Sequence, residues 1–253
     1  MAARMTSHLI IPDSHSKPGV SNERYTWLGK FIVDTKPDVV VNIGDWADMH
    51  SLSSYDRGKR EYEGRRYKHD IAAANDALDR VHHELKKSKS RYKPRMVSLI
   101  GNHEVRINRA TSLSPELDGL ISTDDIQFKQ KGWEVYDFLD IVQIDGIYYS
   151  HYFTSGLMGR AISGETPAST LLKKHFVSCI AGHNHLWDFA QRTRPDNRRI
   201  LGMTVGWYGE HKEAYANGSQ HMWWSGLTTA ENVENGNYDP HRVSISRIKK
   251  EYK

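Results

Sequence analysis

Five short apolar runs in this chain are each followed directly by a cluster of Asp, His or Asn residues. The clusters are Asp13 with His15, Asp45 with Asp48, Asn102 with His103, His151, and His183 with His185. Short apolar runs bounded by turn residues are typical of buried strands. A strand end is a place where side chains can converge on a pocket, and neutral imidazoles are common metal ligands. We therefore expect a fold in which several strands deliver polar groups to one site.

The order of elements in the first hundred residues indicates an α/β protein. We predict a strand over 7–12, a helix over 21–34, a strand over 39–43, a helix over 68–87 and a strand over 96–100. Apolar residues three and four positions apart support the second helix. The strand, helix, strand order at the start suggests a parallel βαβ unit.

Shorter strands follow in the second half of the chain. We predict them over 133–136, 139–144, 147–151, 176–181, 187–192, 199–205 and, last in the chain, 242–248. Asp145-Gly146, between the second and third of these, is a strong hairpin signal. Residues 207–240 are rich in Gly, Asn and Trp without a clear periodicity, so we class this region as irregular.

The composition is typical of a soluble globular protein with one core. The 253 residues are 38% hydrophobic and 26% charged, and they show no internal repeat or low-complexity linker. We therefore expect a single domain over 1–253. Cys179 is the one cysteine, which excludes a disulfide within the chain. No apolar stretch approaches the ~18 residues of a membrane span, and no signal-peptide pattern is present, so we expect a cytoplasmic protein.

The net charge of +4 is unevenly distributed. Residues 57–95 contain 13 Lys or Arg and 6 Asp or Glu, a net charge of +7, so the remainder carries −3. We predict that about 55–95 forms a basic helical elaboration near the site. Two interpretations stay open for it: a solvated helix face, or a surface for an anionic partner.

The ordered motifs resemble those of the calcineurin-like metallophosphoesterases. Asp-x-His at Asp13, Gly-Asp-x-x-Asp around Asp45, Gly-Asn-His-Glu around Asn102, a later His, and Gly-His-x-His ending at His185 follow the family's order. The resemblance covers about two-thirds of the chain. It implies an α/β fold with a two-sheet β-sandwich flanked by helices, in a four-layer αββα arrangement with the metal site on loops at the strand ends. The alternation of strands and helices agrees with this fold but could not have established it.

The resemblance also implies a role for each residue of the clusters. The expected ligands are Asp13, His15 and His185 for a first metal, Asn102, His151 and His183 for a second, and Asp45 shared by both. His103 is expected to donate a proton near the leaving-group oxygen, oriented by Asp48. Two divalent cations ~3.5–4 Å apart neutralise phosphate oxygens and make hydroxide available near neutral pH. We thus expect a hydrolase that cleaves phosphate esters with a hydroxide bridging the metals.

The ligands offer imidazole, carboxylate and amide groups without a thiolate. This set favours manganese, iron, zinc, nickel or cobalt over calcium. We expect two divalent cations, and we expect manganese to be the metal that supports activity in an assay.

The sequence departs from the phosphoprotein-phosphatase branch at two places. In that branch an arginine follows the second motif and another precedes the third, whereas this chain has Met49 and Ile100 there. The pattern is closer to the phosphodiesterase and nuclease branches. We therefore expect phosphodiester hydrolysis in nucleic acid or nucleotides, with His50 and Arg106 as candidate substrate contacts. The alternatives are a phosphomonoesterase of small molecules or nucleic-acid ends, and a non-catalytic interaction module.

Four aromatic residues in the Gly-rich region are candidates for stacking on a base. They form two pairs, Trp207-Tyr208 and Trp223-Trp224. Aromatic stacking supports binding of single-stranded nucleic acid without sequence preference. The other interpretation is that these rings simply cover the edge of the core.

Overall fold

Two β-sheets form the centre of the computed structural model, which describes residues 5–88, 91–213, 216 and 218–253. In chain order the strands are β1 (Thr6–Ile11), β2 (Val39–Asn42), β3 (Arg95–Leu99), β4 (Glu134–Tyr136), β5 (Val142–Ile144), β6 (Ile147–Ser150), β7 (Thr154–Ser155), β8 (Arg160–Ala161), β9 (Cys179–Ala181), β10 (Trp187–Thr193), β11 (Arg199–Val205), β12 (Gly226–Glu234) and β13 (Asn237–Ser244). The α-helices are α1 (Glu23–Thr35), α2 (Tyr67–Lys87), α3 (Val105–Leu113), α4 (Pro167–His175) and α5 (Ile245–Tyr252).

The first sheet has the strand order β13-β12-β1-β2-β3-β4, and the second has the order β10-β11-β9-β6-β5. Strands β1 to β4 run parallel, and the β12–β13 hairpin adds antiparallel to β1. In the second sheet β6, β9 and β11 run parallel. The carboxyl ends of neighbouring parallel strands lie at the same edge of their sheet. This topology brings the residues that follow β1, β2, β3, β6 and β9 within reach of one another.

The central strands are apolar on both faces because each sheet is covered on both sides. Along β1, Leu9 and Ile11 face the helices, whereas Ile10 faces the second sheet. Neighbouring side chains of a strand point to opposite faces, so an unbroken apolar run fills two cores at once. The same division holds in β2, where Val40 faces the helices and Val41 faces the second sheet.

Helices cover the outer face of each sheet. Leu28 of α1 and Leu78 of α2 lie in the core between the first sheet and its helices. On the other side, Leu171 of α4 packs with Cys179 and Phe153 against the second sheet. The layers are therefore helix, sheet, sheet, helix, which confirms the predicted α/β fold of two sheets flanked by helices.

Several predicted elements agree with the structure. β1, α1 and β2 form the parallel βαβ unit, and α2 and β3 lie where a helix and a strand were predicted. The Asp145-Gly146 turn closes an antiparallel hairpin in which Ile144 pairs with Ile147. Its two residues have φ values of 50° and 85°, the positive values that this class of turn requires.

Three strand predictions were wrong in part. The strand predicted over 139–144 begins only at Val142, because Leu139 lies in a turn with a φ of 69°. The predicted strand over 242–248 ends at Ser244, whose hydroxyl accepts from the Arg247 N–H, and α5 begins there. Ile245 and Ile248 face the core three residues apart, so their spacing is helical. The predicted strand over 176–181 is also shorter, because Phe176 ends α4 in a left-handed conformation and is 64% exposed.

The region classed as irregular, 207–240, contains β12 and part of β13. Residues 214, 215 and 217 of this region, and residues 89 and 90 of the basic segment, lie outside the described residues. Within the described part of the basic segment, short 3-10 turns over Ser54–Asp56 and Arg60–Tyr62 precede α2.

Among the described residues, no helix combines the length and the apolar character that crossing a membrane requires.

Helix α2 belongs to the basic segment, but its inner face is part of the main core. Replacing the fully buried Leu78 with Ala is expected to lower the free energy of unfolding by about 2–5 kcal/mol, since it leaves a cavity. The matched control, Leu120→Ala, changes a leucine that is 73% exposed and should cost less than about 0.5 kcal/mol. Urea denaturation measures both. Equal midpoints, or a separate early transition in Leu78→Ala, would show that the basic segment folds independently of the core.

Candidate metal centre

The polar residues that follow five parallel strands meet at one edge of the sandwich. Asp13 and His15 follow β1, Asp45 follows β2, Asn102 follows β3, His151 follows β6, and His183 and His185 follow β9. Six of these seven side chains form two compact groups: Asp13 with His15 and His185, and Asp45 with His151 and His183. Within each group the possible ligand atoms all lie within 4.8 Å of one another. The structure thus brings together residues that are up to 172 positions apart in the sequence.

The first group is built around Asp13, which is completely buried. Its Oδ2 lies 3.2 Å from Nε2 of His185. Both of its carboxylate oxygens accept from the backbone N–H of His183, at 3.1 and 2.9 Å. The backbone after β9 is therefore tied directly to the carboxylate after β1.

The second group is centred on Asp45. Its Oδ2 lies 3.4 Å from Nε2 of His151 and 3.7 Å from Nε2 of His15, so it faces both groups. Its Oδ1 accepts from the backbone N–H of His103 at 2.8 Å. Oδ1 of Asn102 lies 3.0 Å from Nε2 of His151, so this amide, too, faces the second group. Asp45 has the placement that a shared ligand would need.

The orientation of His151 suits a metal ligand. Its Nδ1 lies 3.0 Å from the carbonyl oxygen of Ile43 and donates to it. In the neutral ring this bond makes Nε2 the nitrogen with the lone pair, on the side of Asp45 and Asn102.

The backbone at the site is held in conformations that L-residues seldom adopt. The φ values are positive at His15 (46°), Asp45 (52°), Met49 (49°), His183 (71°) and His185 (59°). Each such residue costs of order 1–3 kcal/mol and persists only where the surroundings enforce it. Strain of this kind clusters at functional sites, and here it turns the chain sharply enough to bring the side chains together.

Two glycines lie so close to the carboxylates of the site that only a residue without a side chain fits at their positions. A Cβ at Gly101 would collide with Oδ1 and with the backbone nitrogen of Asp45, and a Cβ at Gly182 would collide with Oδ1 of Asp13. A larger residue at either position would displace a carboxylate. These close approaches explain why glycine stands before two of the polar clusters.

Asp48 and His103 form a buried pair beside the two groups. Nδ1 of His103 lies 2.8 Å from the carbonyl oxygen of Asp48 and 2.9 Å from its Oδ1. Nε2 of the same ring lies 3.9 Å from Oδ2 of Asp45, so the other edge of the ring faces the centre. His103 therefore lies next to the candidate ligands, with its Nδ1 within hydrogen-bond distance of Asp48.

The charges of the site compensate one another. Burial disfavours ionised Asp45, but His151 and His103 beside it hold its pKa well below the usual range. Burial also lowers the pKa of His151, but Asp45 outweighs it and raises that pKa to about 9. Burial and the neighbouring His151 lower the pKa of His183 to about 4. Imidazole binds a metal in its neutral form, so a cation at the second group would displace the proton of His151.

Glu104 binds three backbone N–H groups in two loops of the site, a role that the sequence analysis missed. Its Oε2 accepts from the N–H of Gly101 at 2.8 Å and of Asp45 at 3.1 Å, and its Oε1 accepts from the N–H of Ala47 at 2.8 Å. Burial and the nearby Asp45 raise the pKa of Glu104 to about 7, against the effect of the Ala47 and Gly101 bonds. The Gly-Asn-His-Glu motif contained this residue, but nothing in its spacing showed what the carboxylate would bind.

The two candidate substrate contacts lie in different surroundings. Arg106 donates from Nη1 to the carbonyl oxygen of Asp48 at 2.8 Å, and its Nη2 lies 3.3 Å from Nε2 of His103. It is therefore at the centre. Nδ1 of His50 instead lies 3.0 Å from Oδ1 of the buried Asp70 on α2.

The four aromatic candidates also differ. Trp207 and Tyr208 are 3% and 0% exposed, so neither has a face on which a base could stack, and they cover the core as the alternative interpretation held. Trp223 and Trp224 are partly exposed. The Trp223 ring lies edge-on to His185, with 4.1 Å between centroids.

Other residues near the centre were not singled out from the sequence. The Tyr152 ring lies 4.7 Å from the ring of His183 and 5.5 Å from that of Phe138. Lys17 bonds the buried Glu213 and lies 3.4 Å from Oδ2 of Asp48. Tyr152 directly follows His151, which was a usable signal, but Glu213 is 165 positions from Asp48 and carries no motif.

The donor set fits divalent cations. Buried carboxylates, an amide oxygen and imidazoles, all converging within a few ångströms, match the preferences of manganese, iron, zinc, nickel or cobalt. Two further sets of side chains are close enough together to hold a cation: His15 with Asp45 and His103, and His15 with Asp48 and Glu213. The set with Glu213 differs from the others. The ammonium of Lys17 already lies between its two carboxylates.

Comparison with known proteins decides the family. The family model named calcineurin-like phosphoesterase matches residues 8–246, nearly the whole chain and every residue of the two groups. The chain belongs to this family. It is therefore a metal-dependent hydrolase of phosphate esters.

No curated protein matches the chain. One solved crystal structure is 10% identical, with a TM-score of 0.42, and covers 95% of this chain and 100% of its own, a likeness too low for a functional argument.

The bonds of Glu104 make a stability prediction for this phosphoesterase. Glu104→Gln keeps the size of the side chain but replaces one acceptor oxygen with a donor NH₂, which leaves at least one buried N–H unpaired. We expect the free energy of unfolding to fall by about 1–3 kcal/mol, measured by urea denaturation of the metal-free protein. The control is Glu116→Gln, at an exposed position. Identical midpoints for the two variants would contradict this role of Glu104.

Proposed function

We propose that this phosphoesterase hydrolyses phosphodiester bonds in nucleic acid or nucleotides, using two divalent cations, with manganese as the first choice. Asp13, His15 and His185 would hold one cation, Asn102, His151 and His183 would hold the other, and Asp45 would be shared. Such cations would neutralise phosphate oxygens and lower the pKa of water.

One observation above all supports a diester over a monoester. Met49 and Ile100, which occupy the positions of the missing arginines, are 0% and 4% exposed, so core side chains fill those places. A terminal phosphate is a dianion and benefits from an arginine clamp, whereas a diester carries a single charge. The nearby cation Lys17 is already bonded to Glu213, which leaves less positive charge for a second phosphate anion.

In the proposed reaction His103 donates a proton to the leaving oxygen. Asp48 accepts from Nδ1 of His103, so a proton carried on Nε2 lies on the side of Asp45. Burial lowers the pKa of His103, but Asp45 and Asp48 outweigh it and raise that pKa. This shift favours the imidazolium, which is the form of His103 that can donate a proton. Arg106, at 3.3 Å from Nε2, is placed to contact the same oxygen or a phosphate oxygen.

Two features support a substrate that carries a base. Tyr152 and Phe138 are partly exposed rings beside His183 and His151, where a base next to the phosphate could stack. The basic segment also presents exposed arginines and lysines, among them Arg57, Lys59 and Arg60, which suit a polyanion.

We further propose a cytoplasmic location, supported by the single, buried Cys179.

A comparison of two chromogenic esters tests the proposed substrate class. With manganese added, kcat/KM for bis-p-nitrophenyl phosphate should exceed that for p-nitrophenyl phosphate by about tenfold or more, equivalent to ~1.4 kcal/mol of transition-state preference. Chelator-treated protein is the control and should be inactive on both. A clear preference for the monoester would contradict the proposal and favour the phosphomonoesterase alternative.

A further inference from the structure

Lys17 links two buried carboxylates beside the candidate proton donor. Its Nζ donates to both oxygens of Glu213, at 2.8 and 2.6 Å, and lies 3.4 Å from Oδ2 of Asp48. The Lys17 side chain is 18% exposed, whereas those of Asp48 and Glu213 are 7% and 3% exposed. An ion pair shielded from solvent to this degree is screened little by salt.

Glu213 is itself held firmly. Nε2 of His211 lies 2.6 Å from its Oε1. Its backbone N–H donates to the side-chain oxygen of Gln220, whose amide donates in turn to the carbonyl of His211. The Lys17 ammonium is therefore held, on the side away from Asp48, by the carboxylate of Glu213, which is itself fixed by hydrogen bonds.

The other oxygen of Asp48 holds His103. Oδ1 lies 2.9 Å from Nδ1 of that ring, 3.6 Å from Nη1 of Arg106 and 3.8 Å from Nδ1 of His15. Three basic groups therefore compete for Oδ1, while Lys17 is the ion-pair partner on the side of Oδ2. The terminal torsion of an aspartate is soft, so a partner at Oδ2 restricts which way the carboxylate turns.

We propose that Lys17 is a positioning residue for His103, acting through Asp48. This inference rests on the proposed role of His103 as proton donor. The ammonium, braced by Glu213, keeps Oδ1 of Asp48 directed at the imidazole. Without it the carboxylate turns more freely, and for part of the time Nδ1 of His103 loses its bond to the Asp48 carboxylate.

The kinetic test uses a series of aryl phosphate diesters and monoesters whose leaving phenols differ in pKa. We expect Lys17→Met to lower kcat for phenol esters about tenfold, the lower end of the 10–100-fold range for residues that orient metal ligands, with KM unchanged. The deficit should shrink as the phenol becomes more acidic, because such leaving groups need little protonation. His103→Ala should show a larger deficit with the same trend, and Lys17→Arg should recover most of the rate.

Two further variants separate positioning from structural damage. The double variant Lys17→Met/Glu213→Gln also removes the buried carboxylate charge that loses its ammonium partner in Lys17→Met, and it should show the same dependence on the leaving group. Lys249→Met breaks a partly exposed pair with Glu210, 2.9 Å long, and should leave the kinetics unchanged. A Lys17→Met deficit that appears in KM, or that is the same for every leaving phenol, would overturn the proposal.

A measurement without turnover keeps this inference separate from the proposed function. In proton NMR spectra of the wild-type protein, the His103 Nδ1–H, bonded to Asp48, should exchange slowly with solvent. Exchange should be faster in Lys17→Met and slow again in Lys17→Arg. Unchanged exchange in Lys17→Met would refute the positioning role. If the wild-type protein hydrolyses neither diesters nor monoesters, the proposed function fails, and this experiment still decides the role of Lys17.

Discussion

The whole centre depends on the burial of three carboxylates at one edge of an apolar sandwich. Asp13, Asp45 and Asp48 are 0%, 1% and 5% exposed. A buried, ionised carboxylate is very costly unless charges and hydrogen bonds compensate it. Here the compensation comes from the histidines around them and from backbone N–H groups aimed at Asp13 and Asp45. The same arrangement that makes the carboxylates tolerable also directs their oxygens at a common space, which is what a pair of cations requires.

The sandwich makes this concentration of charge possible by fixing the strand ends rigidly. Strands buried on both faces cannot shift register without exposing apolar side chains. The loops beyond them can therefore carry left-handed residues such as Asp45 and His183, and the strain is offset by packing elsewhere. Glu104 adds a direct brace between the loops after β2 and β3.

The polar motifs and the strands beside them could be recognised from the sequence because each is formed by residues close together in the chain. Apolar runs such as Val39–Asn42 and the polar clusters after them, here Asp45 with Asp48, lie within a few residues of one another, and the order of these clusters resembles one family. The C-terminal hairpin was missed because β12 is polar and its pairing with β1 spans more than 200 residues. The Asn235-Gly236 turn, with φ values of 51° and 82°, was a signal that could have revealed it. The Lys17–Glu213 pair could not have been predicted, since only the folded chain brings these residues together.

We propose that Asp45 joins two cation sites in one centre. The metal content of the manganese-reconstituted, desalted protein tests this directly, measured by inductively coupled plasma mass spectrometry on the wild type and on Asp45→Asn. We predict two manganese ions per wild-type chain and fewer than one in Asp45→Asn, because the loss of a shared ligand weakens both sites. One ion or none in the wild type, or two ions retained in Asp45→Asn, would contradict this proposal.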